Sequence, residues 1–90
     1  MLFEWDEAKR QANITKHGID FRDAGQIFDG RPRLDIESPR RGEERTISIA
    51  ILDGRHVAIV WLWRGDDVTS IISVRSARSG EKKQYRQIHG

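Results

Sequence analysis

Ninety residues with no cysteine, and 16 basic against 14 acidic side chains for a formal charge of +2, describe one small domain, residues 1–90, built without disulfides or thiolate metal sites. The opening Met-Leu-Phe-Glu-Trp-Asp lacks the basic start and apolar run of a signal peptide, and no segment approaches the roughly 18 apolar residues of a membrane span. A cytoplasmic protein with no membrane partner is expected, and its charge is informative by distribution: acidic residues crowd positions 4–44, while 75–90 is basic.

Leu2 to Trp5 reads either as a short edge strand or as the lead-in to a helix. Asp6 is a suitable N-cap, and Glu7 favours the positive end of the helix dipole. Ala8, Ala12 and Thr15 or Ile19 fall on one stripe of that helix, ringed by Lys9, Arg10, Asn13 and Lys16. Gly18 ends it as a left-handed residue, after Lys16 and His17 where cations suit the last carbonyls. Asp20 caps a second helix whose inner face is Phe21, Ala24, Ile27 and Phe28. Residues 30–44 carry the weakest pattern, a short strand at 33–36 followed by a charged loop.

From Arg45 the period becomes two. Ile47, Ile49 and Ile51 point one way, and Thr46, Ser48, Ala50 and Leu52 the other. Asp53-Gly54 is a strong two-residue hairpin signal. The return strand His56–Trp63 is apolar on both faces, which makes it central, and Arg64-Gly-Asp-Asp67 forms a second turn. Strict alternation in Val68–Arg75 puts Val68, Ser70, Ile72 and Val74 on one face, with Thr69, Ile71, Ser73 and Arg75 on the other. A basic helix follows. The expected fold class is α+β: two N-terminal helices, an antiparallel β-meander of three to four strands and a C-terminal basic helix.

The residues exclude several chemistries. His17, His56 and His89 have no ligand-like spacing, no glycine-rich phosphate loop is present, and no serine sits in a nucleophile elbow. No metal or cofactor is expected. Between Arg75 and Arg86 five cationic side chains face one carboxylate, Glu81, an inventory suited to phosphodiester chemistry by charge stabilisation. Arg75 could hold a phosphate bidentately, or pair with Glu43, Glu44 or Glu81. Glu81 could be a general base, although a glutamate in a first helical turn commonly supports the helix start. His17 could be an acid or base, although its place before Gly18 explains it as a helix-end residue. Lys82, Lys83 and Arg86 form either a solvated face or a polyanion surface. Trp61 and Trp63 share a strand face and read as core or interface.

Phe3-Glu-Trp-Asp-Glu-Ala-Lys9, then Asn13 and Lys16-His-Gly-Ile-Asp-Phe21, resemble the opening of the BrnT family, toxins of bacterial type II toxin–antitoxin systems. Gly42-Glu-Glu-Arg45, the Asp53-Gly54 hairpin, and Ile72-Ser-Val-Arg75-Ser-Ala77 with Glu81 and Tyr85 match the remaining landmarks in order. The resemblance implies a RelE-like fold and a metal-independent endoribonuclease that stops translation. It also implies neutralisation by a BrnA-type antitoxin with a ribbon-helix-helix domain, through which the pair binds operator DNA. Arg75, Glu81 and His17 are the expected catalytic residues, and Arg45, Arg64, Arg78, Lys82, Lys83 and Arg86 the expected RNA contacts. The alternative reading is a non-catalytic module that binds an antitoxin or nucleic acid. Two positions depart from the family pattern. Ser76 stands where a second basic residue is common, and Arg78 stands where a capping Thr or Ser is common, so Ser79 is expected to cap and delay the last helix by one residue.

Overall fold

Five strands form one sheet in the order β1-β5-β4-β3-β2: β1 (Leu2–Glu4), β2 (Leu34–Glu37), β3 (Arg45–Leu52), β4 (Arg55–Trp63) and β5 (Val68–Ser76). Helix α1 (Glu7–His17), a short α2 (Phe21–Ala24) and a 3-10 turn at Gly25–Phe28 separate β1 from β2, and α3 (Ser79–His89) follows β5. This computed structural model describes residues 2–65 and 67–90, so Asp66, within the turn read at 64–67, lies outside the described residues.

The α+β class and the central place of β4 agree with the expectation. Strands β2 to β5 form an antiparallel meander, but the strand number differs: the sheet as a whole is five-stranded and mixed, because β1 runs parallel to β5, Leu2 beside Val68 and Glu4 beside Ser70. Three residues are too few for a strand period to be read, and their partner lies 66 positions away. Asp53 (φ 51°) and Gly54 (φ 80°) close β3 onto β4 in the expected two-residue turn. The charged loop is a second such turn. Arg40 and Glu43 exchange backbone hydrogen bonds of 2.9 and 2.8 Å around Arg41 (φ 49°) and Gly42 (φ 80°). An arginine seldom adopts that left-handed conformation, so the sequence carried no signal for it.

Helices α1 and α2 and the 3-10 turn cover one face of the sheet, where Phe21, Ala24 and Ile27 pack on Val57, Ile59, Ile71 and Val74. On the other face Tyr85 and Ala77 close over Ile49 and Ala58. The α1 stripe is a correction. Ala8, Ala12 and Thr15 are exposed, whereas Arg10 and Asn13 are buried. The helix flanks the edge of β5 beyond β1, where backbone groups need partners. Asn13 Oδ1 accepts from the Val74 N–H (3.1 Å), and its Nδ2 donates to the Ile19 carbonyl (2.9 Å). An inward face that is polar cannot be found by hydrophobic periodicity.

Strand β5 also departs from strict alternation. Val60 pairs with Ser73 but Trp61 pairs with Ile71, leaving Ile72 as the extra residue of a β-bulge. Thr69, Ile71 and Val74 therefore face α1 and α2, and Ser70, Ser73 and Arg75 face α3; Arg75 does not share a face with Thr69. At the next junction Arg78, not Ser79, is the N-cap residue of α3 (φ −76°, ψ 161°). Its guanidinium cannot accept a hydrogen bond, so half a capping box remains: Glu81 Oε1 accepts the Arg78 N–H at 2.8 Å.

Candidate active site

Sheet register places the site. Arg75 lies opposite Ala58, which lies opposite Ile49 and then Leu34, and α3 crosses this row. One step along the same face comes Ser73–Val60–Ile47–Ile36, and beyond it Ser70–Leu62–Arg45. The residues of these two rows are half-buried, so the α3 side of the sheet has one covered end and one open end. Arg75 sits at the covered end. Arg45 and Arg64 sit at the open end, about 13 and about 20 Å along the strands from the Arg75 row at roughly 3.3 Å per strand residue.

The ion pair left open by the sequence is with Glu81. Arg75 Nη1 and Nη2 donate to Glu81 Oε1 and Oε2 at 2.7 and 2.9 Å, and Nη1 also reaches the Ser76 carbonyl at 3.3 Å. The two side chains are only 16% and 14% exposed. The Arg75 hydrogen bonds, more than anything else, hold the Glu81 carboxyl below its ordinary range, and the same bonds raise Arg75. A carboxylate so engaged is a weak proton acceptor. Its geometry instead fixes where the guanidinium lies.

The other expected residues are spread over the surface. Arg78, Lys83 and Arg86 are exposed and Lys82 is half-buried, all on or beside the first three turns of α3. Arg45 is turned onto Glu43 (2.8 Å), and Arg64 lies 3.7 Å from Glu4. Helix α1 runs beside β5 in the same direction, from the Glu4–Ser70 pair to the Asn13–Val74 bond. This carries half-buried His17 toward the Arg75 end of the sheet, but no hydrogen bond or ion pair joins it to Arg75 or Glu81 among the described residues.

His56, which the sequence marks only by its lack of ligand-like spacing, is half-buried beside this end of the sheet. It lies two residues from Ala58 on the same face, diagonal to Arg75, a relation that spans about 7–8 Å between backbones. Its ring meets Tyr85 edge-on (5.2 Å between centroids), and Tyr85 in turn meets His89 (5.0 Å). Arg55, on the neighbouring position, donates to Ser76 Oγ. Only the register of β4 on β5 brings His56 to Arg75, and sequence does not reveal register. No group of three or more His, Cys, Asp or Glu side chains suited to a metal ion occurs among the described residues. No helix among them is long and apolar enough to cross a membrane.

A mixed five-stranded sheet with a half-buried Arg–Glu pair at the start of a basic helix defines an α+β domain with a cationic cluster at one end of the sheet. Comparison with known proteins gives its kinship. The family model described as "Ribonuclease toxin, BrnT, of type II toxin-antitoxin system" matches residues 5–81. The chain belongs to that family of ribonuclease toxins. The 1.1 Å crystal structure of the Brucella abortus ribonuclease toxin BrnT is similar to it at 33% sequence identity and a TM-score of 0.66, over 88% of this chain and 100% of that one. No curated protein matches.

Proposed function

We propose that this toxin cleaves RNA at the Arg75 end of the sheet without a metal, with the 2′-OH beside the scissile phosphate as nucleophile. In that reaction the protein positions the backbone, moves protons and stabilises the charge that builds on phosphorus-bound oxygen. Arg75 is the charge-stabilising group. Glu81 is its positioning residue and N-terminal support for α3. Proton transfer falls to a histidine at this end of the sheet, His56 on the Arg75 face or His17 at its edge. Arg78, Lys82, Lys83 and Arg86 hold the strand on one side, and Arg45 and Arg64 hold it across the open end. The observation that supports this reading is the bidentate Arg75–Glu81 pair, which pre-sets a guanidinium fork in a half-buried position, with four further basic side chains, Arg78, Lys82, Lys83 and Arg86, on the helix that follows and His56 diagonal to it across the strands.

The wider setting follows from the family. We infer a RelE-like ribonuclease acting on RNA in the cytoplasm, where cleavage stops translation. Its activity would be held in check by a BrnA-type ribbon-helix-helix antitoxin through which the complex reaches operator DNA. Single-turnover cleavage of a short RNA by the purified chain tests the site. Cleavage should leave a 2′,3′-cyclic phosphate and persist in EDTA. A 5′-phosphate product, or loss of activity in EDTA with recovery on adding Mg²⁺, would overturn the mechanism.

A further inference from the structure

The open end of the sheet has a second face, and its chemistry is opposite. Cross-strand register lines up Glu37, Thr46 and Trp61 in one row on the α1/α2 side. Glu44 precedes Arg45, whose partner is Leu62, so the next position along brings Glu44 to Trp63. Together with Pro39 these side chains line a cleft of about 300 Å³. Its two indoles meet almost at a right angle (71°, centroids 6.5 Å apart). Trp61 is fixed from behind: its Nε1–H donates to Ser48 Oγ at 2.7 Å, which donates to Asp35 at 2.6 Å, and Phe28 packs edge-on against its ring. Trp63 is 51% exposed. Glu37 and Glu44 are exposed and form no ion pair among the described residues, while Arg45, at the rim, is occupied by Glu43.

An aromatic corner with two uncommitted carboxylates is a poor surface for RNA, whose phosphates both carboxylates repel, and a suitable one for a cation. Guanidinium fits best, since it stacks on an indole face with its plane while donating to carboxylate with its edge. The same aromatic string already holds one such group: Arg33 lies over the Phe28 ring, 4.8 Å from its centroid. An exposed tryptophan in an otherwise charged surface marks an interface rather than a solvated face.

We propose that the Trp61–Trp63 corner, with Glu37 and Glu44, receives an arginine of the protein antitoxin, on the face of the sheet turned away from the RNA-cleaving end. The proposal rests on the reading of the chain as a neutralised toxin. It adds that neutralisation is anchored by an arginine-bearing protein segment, leaving to RNA the α3 face, whose carboxylates Glu81, Glu43 and Glu4 already lie against Arg75, Arg45 and Arg64. Two arms test it, on the full chain. In the first, N-acetyl-arginine methylamide is titrated while the indole N–H resonances are followed, with the uncharged citrulline analogue as control. A saturable shift of Trp63, absent with citrulline and weakened about tenfold in Glu37→Gln/Glu44→Gln, is expected; equal shifts with both probes, or none, overturn the guanidinium site whatever the chain's activity. In the second arm, Trp63→Ala and Glu37→Lys/Glu44→Lys are co-expressed with the antitoxin. Both should cleave RNA at the wild-type rate and escape neutralisation, with antitoxin affinity down by 100-fold or more. Variants still neutralised in full would overturn the proposal. So would Trp63→Ala losing RNA cleavage while keeping antitoxin, which would assign the corner to RNA. A wild-type chain that neither cleaves RNA nor is neutralised would instead refute the toxin mechanism, with the first arm still deciding the pocket.

Discussion

Glu81 grips Arg75 by both terminal guanidinium nitrogens and, through the same Oε1, takes the backbone N–H of Arg78 that opens α3. One carboxylate thus sets both the position of the Arg75 guanidinium and the start of the helix carrying Lys82, Lys83 and Arg86. Removing either partner leaves the other half-buried and unpaired, at a cost of about 1–3 kcal/mol, between the values for surface and fully buried pairs. Arg75→Ala should cut RNA cleavage about 100-fold or more and lower the unfolding free energy. Arg75→Ala/Glu81→Gln should recover most of the stability and none of the cleavage. Urea unfolding and single-turnover cleavage of the three proteins check this; cleavage returning along with stability would make the pair purely structural.

The two histidines separate by substitution. His56→Gln should slow cleavage by about 100-fold with little change in stability, because the ring is only half-buried and its nitrogens make no hydrogen bond in the described structure. Added imidazole should restore part of the rate. His17→Gln should stay within severalfold of wild type. The reverse ranking would move proton transfer to the α1 edge.

Asn13 ties α1 to the sheet through its hydrogen bond from the Val74 N–H. Asn13→Leu keeps its bulk but strands the Val74 N–H and the Ile19 carbonyl, two buried backbone groups, which should cost roughly 2–4 kcal/mol. Amide exchange should accelerate first at Val74 and its neighbours in β5. Unchanged protection there would mean that water replaces the side chain.

Acid should loosen the helical hairpin. Hydrogen bonds from Arg22, and then from Arg10, hold Asp20 down from 3.8 to about 2; Arg10 above all holds Glu7 down from 4.5 to about 2. Both groups are more acidic folded than unfolded. Their contribution is therefore complete above about pH 4.5 and is lost as the pH falls toward 2. Denaturant midpoints measured from pH 5 to pH 2 should fall, and Asp20→Asn should flatten that fall while lowering the midpoint at neutral pH. An equal slope in the variant would place acid sensitivity elsewhere.

What could be read from the sequence is what local chemistry decides. Asp6, Asp20 and Gly18 mark the helix ends where the structure has them, Asp53-Gly54 turns the hairpin, and the doubly apolar 56–63 run is the central strand. Each signal lies within a few residues. Apart from the cap of α3, which Arg78 takes in place of Ser79, the failures are long-range or aperiodic. Ile72 is inserted out of step, so a parity count through β5 put Arg75 on the wrong side of Thr69. Helix α1 turns Arg10 and Asn13 inward because a sheet edge, not an apolar surface, receives it. His56 was discounted because its neighbour in space, Arg75, is set by register across the second turn. The arginine cluster of the C-terminal third was readable as a cationic site. Which carboxylate would hold its first arginine was not.

The edges of the sheet have a further consequence, for how copies of this chain meet. The β1 edge is three residues long and then gives way to α1, whose Asn13 occupies the Val74 amide. A strand arriving there finds almost nothing to pair with. The rim along β2 is longer, and the Arg40–Glu43 bridge extends it. A molecule with a single usable rim can join a second copy about a twofold axis, and the joined pair then has no rim left to offer. Strand-by-strand association should therefore stop at two, so that crowding a toxin released from its antitoxin yields closed dimers rather than fibrils.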